Sequence, residues 1–101
     1  MRIIKKMADY MEDELDGCIE YAKDALEYQY TRAALSKNFY QMAQAEYGHY
    51  QLLHESVVKL VEEIKQQGKN YPQKMLDKWE SQHRKFIEKA EEAQMYLNMY
   101  K

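Results

Sequence analysis

Glu46-Tyr-Gly-His49 is the segment of this 101-residue chain whose residue types and spacing most directly suggest chemistry. Residues three apart on a helix lie one above the other, so a Glu-x-x-His can aim a carboxylate oxygen and an imidazole nitrogen at one divalent ion. The surrounding apolar residues Leu35, Phe39, Met42, Leu53, Val57, Leu60 and Ile64 recur at helical spacing. At about 100° per residue, and with Met42 as the centre of that stripe, Glu46 falls at about 40° and His49 at about −20°. Both are therefore expected in the buried face, while His54 and Glu55 are expected at its edge or on the surface. A carboxylate taken from water needs a partner charge or a proton. A divalent cation would supply the charge. The alternative is a hydrogen-bonded Glu–His pair that holds helices in register.

An earlier stripe, Ile4, Met7, Met11, Leu15, Cys18, Ala22, Ala25 and Leu26, marks another helix. With Cys18 at zero, Glu14 lies at about −40° and Tyr21 at about −60°, whereas Glu20 lies at about 200° on the outer face. Glu14 is thus the acid of this helix aimed inward. If the chain reverses near residue 31, position 14 stands level with position 48, between Glu46 and His49. Facing and level both make Glu14 a third ligand, with Tyr21 as a neighbour able to bond it. A second Glu-x-x-His, Glu80 and His83, sits beside Trp79 and Phe86. A turn near residue 70 would put His83 beside position 57, too far along the rod to join the same site. A core histidine bonded to Glu80 is the plainer reading there. Glu91 and Glu92 have the right level to approach Glu46 and His49.

These side chains need long helices to position them. The chain has one Pro and three Gly, too little punctuation for many short strands. The expected architecture is all-α, with three long helices over about residues 2–29, 33–67 and 73–100 in one domain spanning 1–101. Thr31 is the expected N-cap of the second helix, and Gly68, Asn70 and Pro72 the second turn. The second helix would be about 50 Å long at 1.5 Å per residue. Helices of that length leave apolar surface uncovered in so short a chain, so a homodimer or larger homo-oligomer is expected.

Charge narrows the function classes. Fifteen Lys and Arg against seventeen Asp and Glu leave a net charge of −2, which offers no footprint for nucleic acid or an anionic membrane. No apolar run reaches the roughly 20 residues that span a bilayer, and no signal peptide is recognisable. The single cysteine, Cys18, reads as a small core residue and makes a reducing cytoplasm the default compartment. The ten Tyr and seven Met read as adaptable core filling and helix cover.

The run Asn38-Phe-Tyr-Gln-Met-Ala-Gln-Ala-Glu-Tyr-Gly-His49, with its aromatic two turns before Glu-x-x-His, resembles the second helix of rubrerythrin and ferritin-like proteins. Glu14 followed seven residues later by Tyr21 resembles their first helix. The likeness covers about residues 7 to 60, and the whole chain looks like small ferritin-like proteins of phages and gut bacteria. It implies a di-iron carboxylate centre in a four-helix bundle, to which two helices give a Glu each and two give a Glu-x-x-His each. This chain carries one half of that set: Glu14, Glu46 and His49. Two antiparallel hairpins would complete it across a dimer, as in the half-size encapsulated ferritins. By that analogy Glu46 bridges two metals, Glu14 and His49 are terminal ligands, and the activity is ferroxidase-type. No encapsulin-targeting tail is recognisable, so shell cargo is not expected. Iron is the expected metal, and Mn or Zn would suit the same donors. The rival expectation is a non-catalytic helical interaction protein whose Glu/His cluster is a polar network or a structural metal site.

Overall fold

The computed structural model describes residues 2–68 and 72–101. Three helices follow in order: α1 over Arg2–Glu27, α2 over Ala33–Gln66 and α3 over Gln73–Met99. No strand occurs among the described residues, and none of the helices is long and apolar enough to cross a membrane. Asn70 of the expected second turn lies outside the described residues.

Local chemistry explains where the helices stop. α1 runs into a turn at Tyr28–Thr31, and the residue capping α2 is Arg32, without a side-chain cap bond. The expected Thr31 cap is therefore displaced by one residue. The turn is tied down from inside: the Arg32 amide bonds the Tyr28 carbonyl, and the buried Ser36 hydroxyl donates to the Ala25 carbonyl. At the far end of α2, Gly68 adopts φ +82°, a left-handed conformation that glycine takes without steric cost just beyond a helix. Pro72 opens α3, where a missing N–H costs nothing.

The buried residues of α1 are Ile4, Ala8, Met11, Leu15, Cys18, Ala22 and Ala25. Their spacing alternates between four and three, the pattern of a narrow coiled-coil seam. Small residues on that seam let α2 approach closely, and α1 packs more extensively on α2 than on α3. α3 lies along the other flank of α1. There the Lys89 ammonium meets Asp16 at 2.6 Å and Glu12 at 4.0 Å, and Lys23 lies 5.2 Å from the Tyr96 ring centroid. Between α2 and α3 the backbones stay apart, and large side chains bridge the gap, as where Tyr40 stacks on Tyr100 at 4.1 Å. The result is a rod of 58 × 17 × 16 Å with a radius of gyration of 16.3 Å, against about 13 Å for a compact domain of this length.

The seam of α2 is only partly the one expected: Val57 and Ile64 are buried as expected, and the rest of the stripe is not. Its buried residues are Ser36, Ala43, Tyr50, Val57, Val61 and Ile64. Leu35 and Met42 are exposed, and Phe39, Leu53 and Leu60 are half-buried. α2 carries two adjacent apolar stripes; the one centred on Met42 is the more conspicuous in sequence, and the one centred on Ala43 faces α1. On α3 the expected Ile87 is likewise exposed, and Ala93 is buried in the seam with Leu76, Trp79, Phe86, Ala90 and Leu97.

Ser36→Ala removes a fully buried hydrogen bond at the start of the hairpin. It should lower unfolding stability by about 1–2 kcal/mol, read in urea titration as a lower midpoint at unchanged slope.

Candidate metal centre

The hairpin register brings Glu14 of α1 across from Glu46 and His49 of α2. One oxygen from each carboxylate and one ring nitrogen of His49 lie within 4.8 Å of one another. Donors bonded to a single ion at about 2.0–2.2 Å stand at most about 4.4 Å apart. A small closing movement therefore suffices, and His49 has room for it, its side chain being 59 % exposed. Its Nδ1 already lies 3.4 Å from Glu14 Oε2, a distance too long for a strong hydrogen bond.

The expectation of a buried Glu46/His49 pair needs correction. Glu46 and Glu14 are half-buried and His49 is exposed. The reason is the choice of centre for α2. Taking Ala43 as zero places Glu46 at about −60° and His49 at about −120°, on the shoulder of the seam. The cluster thus opens on the outer face of the α1–α2 hairpin, away from α3. Tyr10 on α1 and Met42 on α2, each one turn before a carboxylate of the cluster, are exposed beside it.

Two neighbours shape the cluster. Gly17 lies one turn after Glu14, and a Cβ there would stand 3.2 Å from Glu46 Oε2 and 3.3 Å from its Cδ. The bare backbone of α1 is what lets the Glu46 carboxyl lie against it. Sequence reading missed Gly17, although a glycine inside a helix costs about 1 kcal/mol relative to alanine and so signals a packing demand. Tyr21 is half-buried and its ring stacks on Phe39 at 6.3 Å, with Tyr28 stacking on Phe39 at 6.2 Å. Tyr21 thus takes its place in an aromatic row where a bond to Glu14 was expected.

Electrostatics follow from two acids sharing a small space. Glu46 is pushed up to about 7. A hydrogen bond with Glu14 is the main cause, followed by desolvation and by the Glu14 charge, with His49 opposing. Without a cation, the cluster holds a proton near neutrality. The Cys18 thiol beneath is pushed up to about 11, first by burial and then by Glu46. It is protonated and unreactive, as befits a core residue.

The remaining candidates do not join. Glu80 pairs with Lys65 at 3.4 Å. Glu91 and Glu92 are exposed on α3, and Glu91 lines an open groove with Tyr47, Tyr50 and His54. His83 meets His54 rather than Glu80, at 2.7 Å between their Nε2 atoms. Burial, and secondarily His83, lower the pKa of His54. His54 is half-buried, as expected of an edge residue, and recentring α2 on Ala43, which puts it at about 20°, explains why it points to α3. No family model, curated protein or solved structure matches this chain.

The proton on Glu46 predicts a pH dependence. A carboxyl whose pKa is raised from 4.5 in the open chain to about 7 in the fold contributes stability that is full below about pH 4.5 and lost as pH rises through about 7. In chelator-treated protein the melting temperature should fall between pH 5 and 8, and Glu46→Gln, neutral throughout, should flatten that decline.

Proposed function

We propose that the protein is a ferritin-like binder of divalent metal, with non-haem iron as the favoured ion, and that its centre is completed between two copies of the chain. The observation that carries this reading is the convergence of Glu14, Glu46 and His49 from two helices onto one small volume. Two carboxylates and an imidazole suit Fe(II), Mn(II) and Zn(II). A dication would also displace the proton that the paired carboxyls otherwise share.

The need for a second copy rests on geometry. One chain offers three donors in a cluster open to one side, with a half-exposed histidine and the exposed side chains of Tyr10, Leu35 and Met42 on the hairpin that carries it. An isologous two-fold contact would set identical faces together, cover those apolar groups and bring four carboxylates and two imidazoles around the centre. By the ferritin-like analogy Glu46, lying against α1 at Gly17, would be the carboxylate shared between two ions, and Glu14 and His49 would each hold one. Bound iron would supply one-electron chemistry, Fe(II) giving up electrons to dioxygen or peroxide. The chain's own part is to fix the donors and to take Glu46 from acid to carboxylate as metal enters.

A second reading is a non-catalytic helical interaction protein with a polar Glu/His network. The raised pKa of Glu46 favours it, because a proton shared with Glu14 satisfies the cluster without a metal.

Anaerobic Fe(II) titration with light scattering separates the two. The metal reading expects about two irons per dimer, loss of binding in Glu46→Ala, and oxygen uptake on aeration. Protein that stays metal-free with Fe(II), Mn(II) and Zn(II) would end it. Gly17→Ala should be no less stable than the parent, since alanine favours the helix by up to about 1 kcal/mol. It should nevertheless bind Fe(II) more weakly, because its methyl group displaces the Glu46 carboxyl.

A further inference from the structure

The second histidine cluster has a chemistry of its own. His54 of α2 and His83 of α3 put their Nε2 atoms 2.7 Å apart, with ring centroids 4.8 Å apart. Imidazoles meeting head-on through Nε2 at that separation have centroids about 5 Å apart, so the rings meet edge to edge rather than stack. Each ring is backed by an aromatic face: His54 by Tyr50 at 5.7 Å and His83 by Trp79 at 4.9 Å, with interplanar angles of 24° and 14°. These stacks orient both rings toward one point between the helices. At that point the two nitrogens hold one proton between them, since one Nε2 must donate and the other accept.

A dication can take that proton's place. Two nitrogen ligands at about 2.0–2.1 Å stand about 2.9 Å apart in a right-angled arrangement and about 3.3 Å apart in a tetrahedral one. The pair needs to widen by only a few tenths of an ångström while the rings pivot toward a common apex. The surroundings allow this. α2 and α3 make the sparsest backbone contact in the molecule, both histidines are half-buried, and an open groove along Gln51, His54 and Ile87 gives water and ions access. Glu80, one turn before His83, is held by Lys65 at 3.4 Å and stays outside the donor set.

We infer that His54 and His83 form a second metal site, a two-imidazole chelate completed by water that bolts α2 to α3 and selects Cu(II), Ni(II) or Zn(II). The affinity order gives the preference: two neutral imidazoles bind Ni(II), Cu(II) and Zn(II) more tightly than Fe(II) or Mn(II), whereas the carboxylates of the Glu14/Glu46/His49 cluster add hard donors that suit Fe(II) and Mn(II). The inference is independent of the function proposed above, because the two clusters share no residue.

Zn(II) titration of the unmodified protein, followed through the imidazole nitrogen resonances, tests it without relying on any variant's folding. In Glu46→Ala, where the other Zn(II)-competent cluster is disabled, the Nε2 signals of His54 and His83 should move together into the metal-bound range with one equivalent of Zn(II), and in the unmodified protein they should do so by two equivalents. With His83→Ala added to Glu46→Ala, and retained helicity checked by circular dichroism, that equivalent should bind at least tenfold more weakly, and the rise in melting temperature caused by Zn(II) should shrink. If saturating Zn(II) leaves the His54 and His83 rings unmoved, whether or not His49 responds, the pair is a shared-proton hydrogen bond only and the inference is overturned. An unchanged Zn(II) affinity when His83→Ala is added to folded Glu46→Ala overturns it equally.

Discussion

The close approach of α1 and α2 governs the structure. Ala8, Cys18, Ala22 and Ala25 on one helix and Ser36 and Ala43 on the other are small and buried, so the backbones pack tightly. The Ser36 bond to the Ala25 carbonyl pins the start of the hairpin. Once that end is set, helical rise sets every level below it, and Glu14 must stand opposite Glu46 and His49. Gly17 belongs to the same constraint, because a Cβ there would crowd the Glu46 carboxyl at 3.2 Å. The candidate centre is thus a consequence of how near two helices come, rather than an addition to them.

That nearness also creates an electrostatic problem. Two carboxyl groups brought together on a partly desolvated face cannot both ionise cheaply, and the raised pKa of Glu46 records the cost. A proton relieves it in the free chain. A dication would relieve it more fully and would bring His49 in from solvent, which makes the metal reading attractive despite the exposure of the histidine. The cluster's position on the outer face of the hairpin bears on assembly. α3 covers the opposite flank of α1 and leaves the cluster's outer face open, and Tyr10, Leu35 and Met42 of the same hairpin are exposed.

α3 is attached by different means. Its buried Leu76, Trp79, Phe86, Ala90, Ala93 and Leu97 join the common core; ion pairs from Lys89 and a cation–π contact from Lys23 flank its contact with α1, and toward α2 it reaches through rings: Tyr40 with Tyr100, and Tyr50, His54, His83 and Trp79 in a row. Aromatic side chains can span a wide helix–helix gap that aliphatic ones would leave hollow. The abundance of tyrosine is partly explained by this.

Periodicity alone determined the all-α class, the three helices and their limits to within two residues, because apolar residues recur at helical spacing over long stretches free of Pro. It also placed Glu14 level with Glu46 and His49 and kept Glu80 apart, since level depends only on where the chain reverses and on a constant rise per residue. What the sequence could not decide was which of two neighbouring apolar stripes on α2 is the seam. Leu35, Met42 and Leu60 are more hydrophobic than Ser36, Ala43 and Tyr50, yet the latter are buried. Close helix packing rewards small residues at the contact, a property of the pair of surfaces that no single helix displays. That choice of stripe moved His49 from core to surface, brought His54 from the edge to His83, and turned the Glu/His pair from an internal feature into one facing outward.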